Sequence, residues 1–292
     1  MTRPCKALTA AVLSLTAWTL TTAAGAQQKM LSPAAVVKLN ALLLSAKNNC
    51  MGVYTSDQAI KDADLALKIM PTCASALVFK GTALMKKQED EEALKCFDAA
   101  LKIEPHDQIL LNKADCLLRL RQPAEALTAT DQALKMHQSA QAHMVRARIM
   151  TRLERFPEAK HEYDLAISEQ EKDKRSDRSQ MIFPHSDRAA IEVRLRHWDA
   201  ALADLNFCLS DPKLKINQSA YDQLLLRAKV YKELKQYDKA IVDLKRVLKV
   251  NSDYRQAHIA LAEVYKLTGK SDLAQAQLKE VESLDQDMAP VK

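Results

Sequence analysis

The sequence predicts an all-α protein, a solenoid of about seven stacked helix pairs, on three observations. Only four glycines and nine prolines occur in 292 residues, whereas leucine, alanine, lysine and methionine, all good helix formers, are plentiful. Small residues recur at a spacing near 34 along most of the chain. Each interval holds two amphipathic stretches and one short break, the pattern of an antiparallel helix pair. The scarcity of turn formers argues against an all-β sandwich and against glycine-rich phosphate loops. With 48% hydrophobic and 27% charged residues, the chain has enough apolar material to fold rather than stay disordered.

The first 26 residues form a separate element. Arg3 and Lys6 head an uncharged run from Ala7 to Ala26 that ends in Ala24-Gly25-Ala26, and polar chain resumes at Gln27. This is the layout of a secretory signal peptide, so residues 1–26 are expected to be removed and residues 27–292 to form the exported domain. The expected location is the periplasm or the secreted fraction of a bacterium. An uncleaved membrane anchor is the alternative, since about 20 apolar residues can span a bilayer, although the Thr and Ser content makes a weak span. No second long apolar run follows, so no membrane span is expected after cleavage. Losing Arg3 and Lys6 lowers the formal charge from +6 to +4. A balance this mild makes nucleic acid an improbable partner.

Seven segments then align on a marker alanine: Ala59, Ala93, Ala126, Ala159, Ala201, Ala240 and Ala274, spaced 34, 33, 33, 42, 39 and 34 residues apart. Seven residues after the marker stands a second small or β-branched residue, as in Ala66, Ala100 and Cys208. Twelve residues before it stands another in six units: Gly81, Ala114, Ala147, Ala189, Ala228 and Ala262. Small side chains let helix backbones approach closely where they cross. Leu84, Phe97, Tyr163, Leu205, Leu244 and Leu278 are expected to fill the space between pairs. One pair cannot bury both faces, so neighbours must stack. Pro71 and Pro105 end second helices, and Glu89-Asp90-Glu91-Glu92 favours a helix start. In the first unit the expected small position is Lys47, a departure suited to a solvent-facing end. The two long spacings come from Glu169–Gln180 and from 211–219, expected as longer turns or helix extensions.

These residues resemble the tetratricopeptide repeat. The small eighth residue, the Ala at position twenty, the aromatic or Leu at twenty-four and the Pro at thirty-two are met by Gly81, Ala93, Phe97 and Pro105, and the pattern covers about residues 33–286. The resemblance implies a right-handed superhelix whose first helices line a concave face. It also implies a non-enzymatic scaffold or adaptor that binds a protein or peptide.

Chemistry is otherwise scarce. His106, His137, His143, His161, His185, His197 and His258 form no HxxxH pair, and no GxSxG, GxxxxGK[ST] or GxGxxG occurs. No enzyme activity, metal or cofactor is therefore expected. Cys50, Cys73, Cys96, Cys116 and Cys208 have no CxxC spacing, and the repeat geometry keeps them too far apart or out of step for bridges. Five free thiols are expected, in tension with export.

Counting each unit from nineteen residues before its marker, the fifth position should face the groove. It reads Leu44, Val78, Leu111, Met144, Ser186, Leu225 and Ile259, an apolar lane. The ninth includes Arg148, and the thirteenth gives Lys86, Arg119, Arg152 and Arg194, a basic stripe. Val78, Lys86, Leu111, Asn112, Arg119, Met144, Arg148, Arg152 and Arg194 are the candidate partner-binding residues. Such a groove suits an acidic peptide or partner helix with apolar anchors. The alternative is an anionic non-protein ligand on the basic stripe, which steep salt dependence would reveal. Asn48 and Asn112 lack the lysines of the family's carboxylate clamp.

Overall fold

The computed structural model describes residues 31–50, 52–173, 177–210 and 218–287. Among them are fourteen α-helices and no strand. They pair as α1 Pro33–Asn49 with α2 Ser56–Ile69, α3 Ala74–Lys86 with α4 Asp90–Ile103, and α5 Asp107–Arg119 with α6 Pro123–Met136. Next come α7 Ala140–Arg152 with α8 Phe156–Lys172, and α9 Arg178–Arg194 with α10 Trp198–Leu209. The last two pairs are α11 Gln218–Glu233 with α12 Tyr237–Val250, and α13 Arg255–Leu267 with α14 Ser271–Asp287. The seven-pair solenoid expected from the marker alanines is what forms. The expected signal peptide lies outside the described residues. Among the described residues no helix is long and apolar enough to cross a membrane.

Each helix packs against the next, and successive first helices also touch, as α1 with α3, α3 with α5, α9 with α11 and α11 with α13. No two successive second helices touch to a comparable extent. The first helices therefore lie on the inside of the curve and line its concave face. The three small-residue registers are at the crossings: Ala59, Ala93, Ala126, Ala159, Ala201 and Ala240 are all fully buried. At Gly81 an added Cβ would meet the Phe97 ring at 2.8 and 2.9 Å, so this unit pairs glycine with a large neighbour where the others use alanine.

One turn recurs between the two helices of each pair from the second onward. Gln88, Arg121, Glu154, Arg196 and Lys235 take left-handed φ values from 56 to 66°, and Gly269 takes 73°. The following N–H then donates to the carbonyl five residues back, as in Glu89 to Leu84 at 3.0 Å and Gln236 to Tyr231 at 2.8 Å. This is a Schellman closure, which satisfies the end of the first helix and reverses the chain. Only one of the six left-handed positions is glycine, so the turn leaves little trace in the sequence. Pro71 and Pro105 follow helices that end at Ile69 and Ile103, as expected.

The first unit corrects the expected register. Ala46, not Lys47, is the fully buried small residue of α1, and Lys47 is exposed. The slip of one residue is absorbed by a longer connection, including the 3₁₀ turn Val53–Thr55. Ser45 donates to Asp62 Oδ2 at 2.6 Å in the shifted register.

The charged 169–180 stretch is partly helix. It lengthens α8 and α9 to 17 residues each, against 13 or 14 in α2 to α7. Arg178 anchors its far end, lying 4.5 Å above the Phe207 ring and bonding the Ser210 hydroxyl. Cys50, Cys73, Cys96, Cys116 and Cys208 are all unpaired. Burial pushes the Cys116 and Cys208 thiols up to about 12, which keeps them protonated and unreactive.

Candidate partner-binding site

The predicted groove residues do not all reach a common surface. Leu111 is only 1% exposed and packs with Ala126, Ala133 and Val145, so it belongs to the core and offers nothing to a ligand. Val78 and Met144 are half-buried along the inner helices, and Asn112 accepts a hydrogen bond from Gln108 at 3.1 Å. The basic stripe is largely engaged within the protein. Arg119 Nε lies 2.8 Å from Asp90, the first residue of α4, and Arg194 sits 5.9 Å above the ring of Phe156, the first residue of α8. Arg148 pairs with Asp115 on the neighbouring first helix. Position thirteen thus tends to staple one unit to the preceding one; all of these basic residues are exposed, and Lys86 and Arg152 are the ones that engage no partner among the described residues.

A second charged pattern escaped the sequence reading. The residue before the small eighth position is basic in five consecutive units, and each reaches the preceding second helix. The pairs are Lys80–Asp64 at 2.7 Å, Lys113–Asp98 at 2.6 Å, Arg146–Asp131 at 3.2 Å, Arg188–Asp164 at 2.7 Å and Arg227–Asn206 at 2.9 Å. Three of these arginines also bond a buried carboxylate of their own pair: Glu162 at 2.9 Å, Asp204 at 2.6 Å and Asp243 at 2.7 Å. Histidines complete the set, His143 against Glu162 at 2.8 Å, His185 against Asp204 at 2.6 Å and His258 against Gln277 at 2.8 Å. Burial pushes the Asp204 carboxyl up, but the bonds from Arg188 and His185 outweigh it and hold it below the usual range. Apart from Arg146 Nε, which is buried without a hydrogen bond and faces Asp131 only as a charge contact, these polar groups satisfy one another along the seams between units, which fits a structural role. Among the described residues no group of His, Cys, Asp and Glu could hold a metal.

The open site lies further along the groove than the candidates. Between α11 and α13 on the concave side is a cleft of about 370 Å³. Leu225, Ala228, Leu244, Ala260 and Val264 form its apolar part, with Lys229, Lys232, Gln256 and Glu263 among its polar lining. Lys232 bonds Glu263 across the two first helices at 2.8 Å, while Lys229 is exposed beside them. Leu225 stands in the predicted apolar lane, and Lys229 and Glu263 at its ninth position. The depth of the cleft depends on Ala228 and Ala260 being small, which single-helix periodicity does not reveal. A smaller cavity of about 260 Å³ is lined by Arg227, Tyr231, Lys239 and Asp243, whose charges already face one another or the Tyr231 ring.

Residues 74–107, 111–173 and 231–292 each match a family model described as a tetratricopeptide repeat. Among curated proteins none matches significantly. Among solved structures, PilF of Pseudomonas aeruginosa superposes with a TM-score of 0.64 at 15% identity, covering 79% of this chain and 99% of that one. PilW, a type IV pilus biogenesis factor, gives 0.63 at 19% identity, with 76% and 96% covered. The Cut9–Hcn1 hetero-tetramer of the APC/C gives 0.62 at 17% identity over 85% of this chain, which spans only 46% of that one. At such identities the likeness is one of fold. The three repeat models together span more than half of the 292 residues, and six of the seven helix pairs carry the same register, the first being slipped by one residue: the chain belongs to the tetratricopeptide-repeat family.

Proposed function

We propose that this chain is an exported, non-enzymatic scaffold that holds a peptide segment or helix of a partner protein in the concave cleft between α11 and α13. The observation that carries the reading is the cleft itself. It combines an apolar floor with charged groups at its margin, the combination that seats a hydrophobic anchor and fixes the polar residues beside it. Its volume of about 370 Å³ suits one or two large side chains rather than a whole ligand. Export rests on the signal-like layout of residues 1–26. Burial of four of the five remaining cysteines makes that route compatible with free thiols, because a sulfur without access to oxidant or partner stays reduced.

The test is a crosslinking pull-down from the native host with the unaltered chain and with a Leu225→Glu/Ala260→Glu variant. A defined partner captured by the first and lost by the second is the expected result. Recovery of the same partner with both removes the cleft from the mechanism. Salt titration of the purified complex then separates an apolar anchor, which is salt-tolerant, from an anionic non-protein ligand, which is not. Export is checked by the mass of the mature protein, expected to begin at Gln27.

A further inference from the structure

The two ends of the solenoid are finished differently. At every internal junction the tenth position of a unit, two residues after its small eighth position, packs into the small–large–small stripe of the preceding second helix. Ala83 lies in one cluster with Ala59, Cys116 with Ala93, Phe97 and Ala100, Ile191 with Ala159 and Tyr163, and Val230 with Ala201 and Leu205. Ile149 and Val264 repeat this with Ala126 and Ala133, and with Ala240, Leu244 and Val247. The third position of each of those units is buried as well.

In α1 the same face has no second helix before it among the described residues. With Ala46 as the eighth position, the third, sixth and tenth are Ala41, Leu44 and Asn48, all exposed, and Val37 continues the stripe one turn earlier. Val37 is 70% and Leu44 59% exposed. The opposite end shows what a finished terminus looks like. At the twenty-eighth position, where the other six units carry Leu or Ile, α14 has exposed Glu282, and at the twenty-first it has exposed Gln275. A polar outer face is how a solenoid ends in water; α14 has one and α1 does not. The surroundings of the α1 face are basic: from Leu31 to Ser56 the chain carries Lys38 and Lys47 and no acid. That one-sided charge disfavours pairing of α1 with its own copy. α14 keeps the stripe residues Ala274, Leu278 and Val281, but Ala274 and Val281 are already buried and Gln275 and Glu282 are exposed beside them. A head-to-tail copy is therefore the competing occupant that crosslinking distinguishes.

We propose that the outer face of α1 docks an acidic amphipathic helix of a partner protein. The helix seats a small–large–small stripe, with spacing i, i+4, i+7, on Val37, Ala41 and Leu44, as a second helix seats on the next first helix throughout the chain. Acidic residues flanking the stripe meet Lys38 and Lys47. This surface is separate from the α11–α13 cleft and does not depend on it.

The probe is a fluorescent peptide of the chain's own 89–105 sequence with Cys96→Ser. It presents Ala93, Phe97 and Ala100 on a segment with six acidic and two basic residues. The full chain carries a benzophenone amino acid in place of Leu44. Saturable binding by anisotropy with photocrosslinking to the peptide is expected. A Val37→Glu/Leu44→Glu variant should bind at least about tenfold more weakly, since two apolar anchors are lost. Its melting midpoint should be unchanged because both side chains are exposed. Lys38→Glu/Lys47→Glu should weaken binding several-fold, and Lys229→Glu/Lys232→Glu should leave it as it was. The proposal is overturned if no saturable binding occurs. It is equally overturned if the crosslink runs to residues 7–26 of the same chain or to a second copy, or if only the cleft variant loses the peptide.

Discussion

The contact between Gly81 and Phe97 offers a quantitative test of how the repeats are packed. Alanine at position 81 would restore what the later units have at this place, and would gain about 1 kcal/mol of helix propensity. Its Cβ, however, would sit 2.8 Å from Phe97 Cε1 and 2.9 Å from Cζ, and the ring is fully buried. Overpacking of this kind costs about 1–3 kcal/mol, so Gly81→Ala should be neutral to destabilising by about 2 kcal/mol. Phe97→Leu alone should cost about 1–2 kcal/mol through lost contact. The double variant recreates the alanine–leucine pairing of Ala189 with Leu205 and Ala228 with Leu244, and should be more stable than the sum of its parts by about 1–3 kcal/mol. Urea unfolding followed by helical circular dichroism at 222 nm on the four proteins measures this coupling. Additivity within about 0.5 kcal/mol would show that the ring is not held against the glycine, and the packing argument would fail.

Other consequences are simpler to measure. Gly269 is left-handed and an added Cβ meets nothing within 4 Å, so Gly269→Ala should destabilise by about 1 kcal/mol through backbone strain alone; an unchanged unfolding midpoint would contradict this. Arg227→Ala leaves the buried Asp243 carboxylate without its bidentate partner and should cost about 3–5 kcal/mol, with part of the loss recovered when Asp243→Ala is added. Asp204 has its native pKa lowered from an unfolded value of about 3.9, so its contribution is present above that pH and disappears as pH falls through the native value. Asp204→Asn should accordingly flatten the acid limb of the stability profile, and an identical limb would rule this linkage out. Alkylation of the native protein should label Cys96, which is half-buried, well before Cys116 and Cys208, which should react only on unfolding. Mass spectrometry of timed samples reads that order directly.

Much of this architecture could be read from one sequence because the repeat multiplies a weak signal. A single alanine at a helix crossing means little, but Ala59, Ala93, Ala126, Ala159, Ala201, Ala240 and Ala274 in register define the helix pairs, their number and their order. A property that depends on a partner far away in the chain leaves no such local trace. Arg119 and Arg194 looked like a free basic stripe because Asp90 and Phe156, which engage them, are some 30 to 40 residues upstream. The seam pairs of Lys80, Lys113, Arg146, Arg188 and Arg227 were present in the sequence as a recurrent basic residue, yet nothing local distinguishes such a residue from a solvated one. Leu111 and Met144 share a repeat position, but only the surrounding helices make the first a core residue and leave the second half-exposed.

Which residues are helical, how they pair and that they must stack follow from periodicity and from the need to bury an apolar face, both present in the residue order. The tertiary structure alone decided the slip that puts Ala46 in place of Lys47, the position of the open cleft between α11 and α13, and the unequal finish of the two ends. Each of these depends on how far neighbouring helices stand apart and on which faces they leave uncovered, quantities set by packing across units and not by the pattern within any one of them.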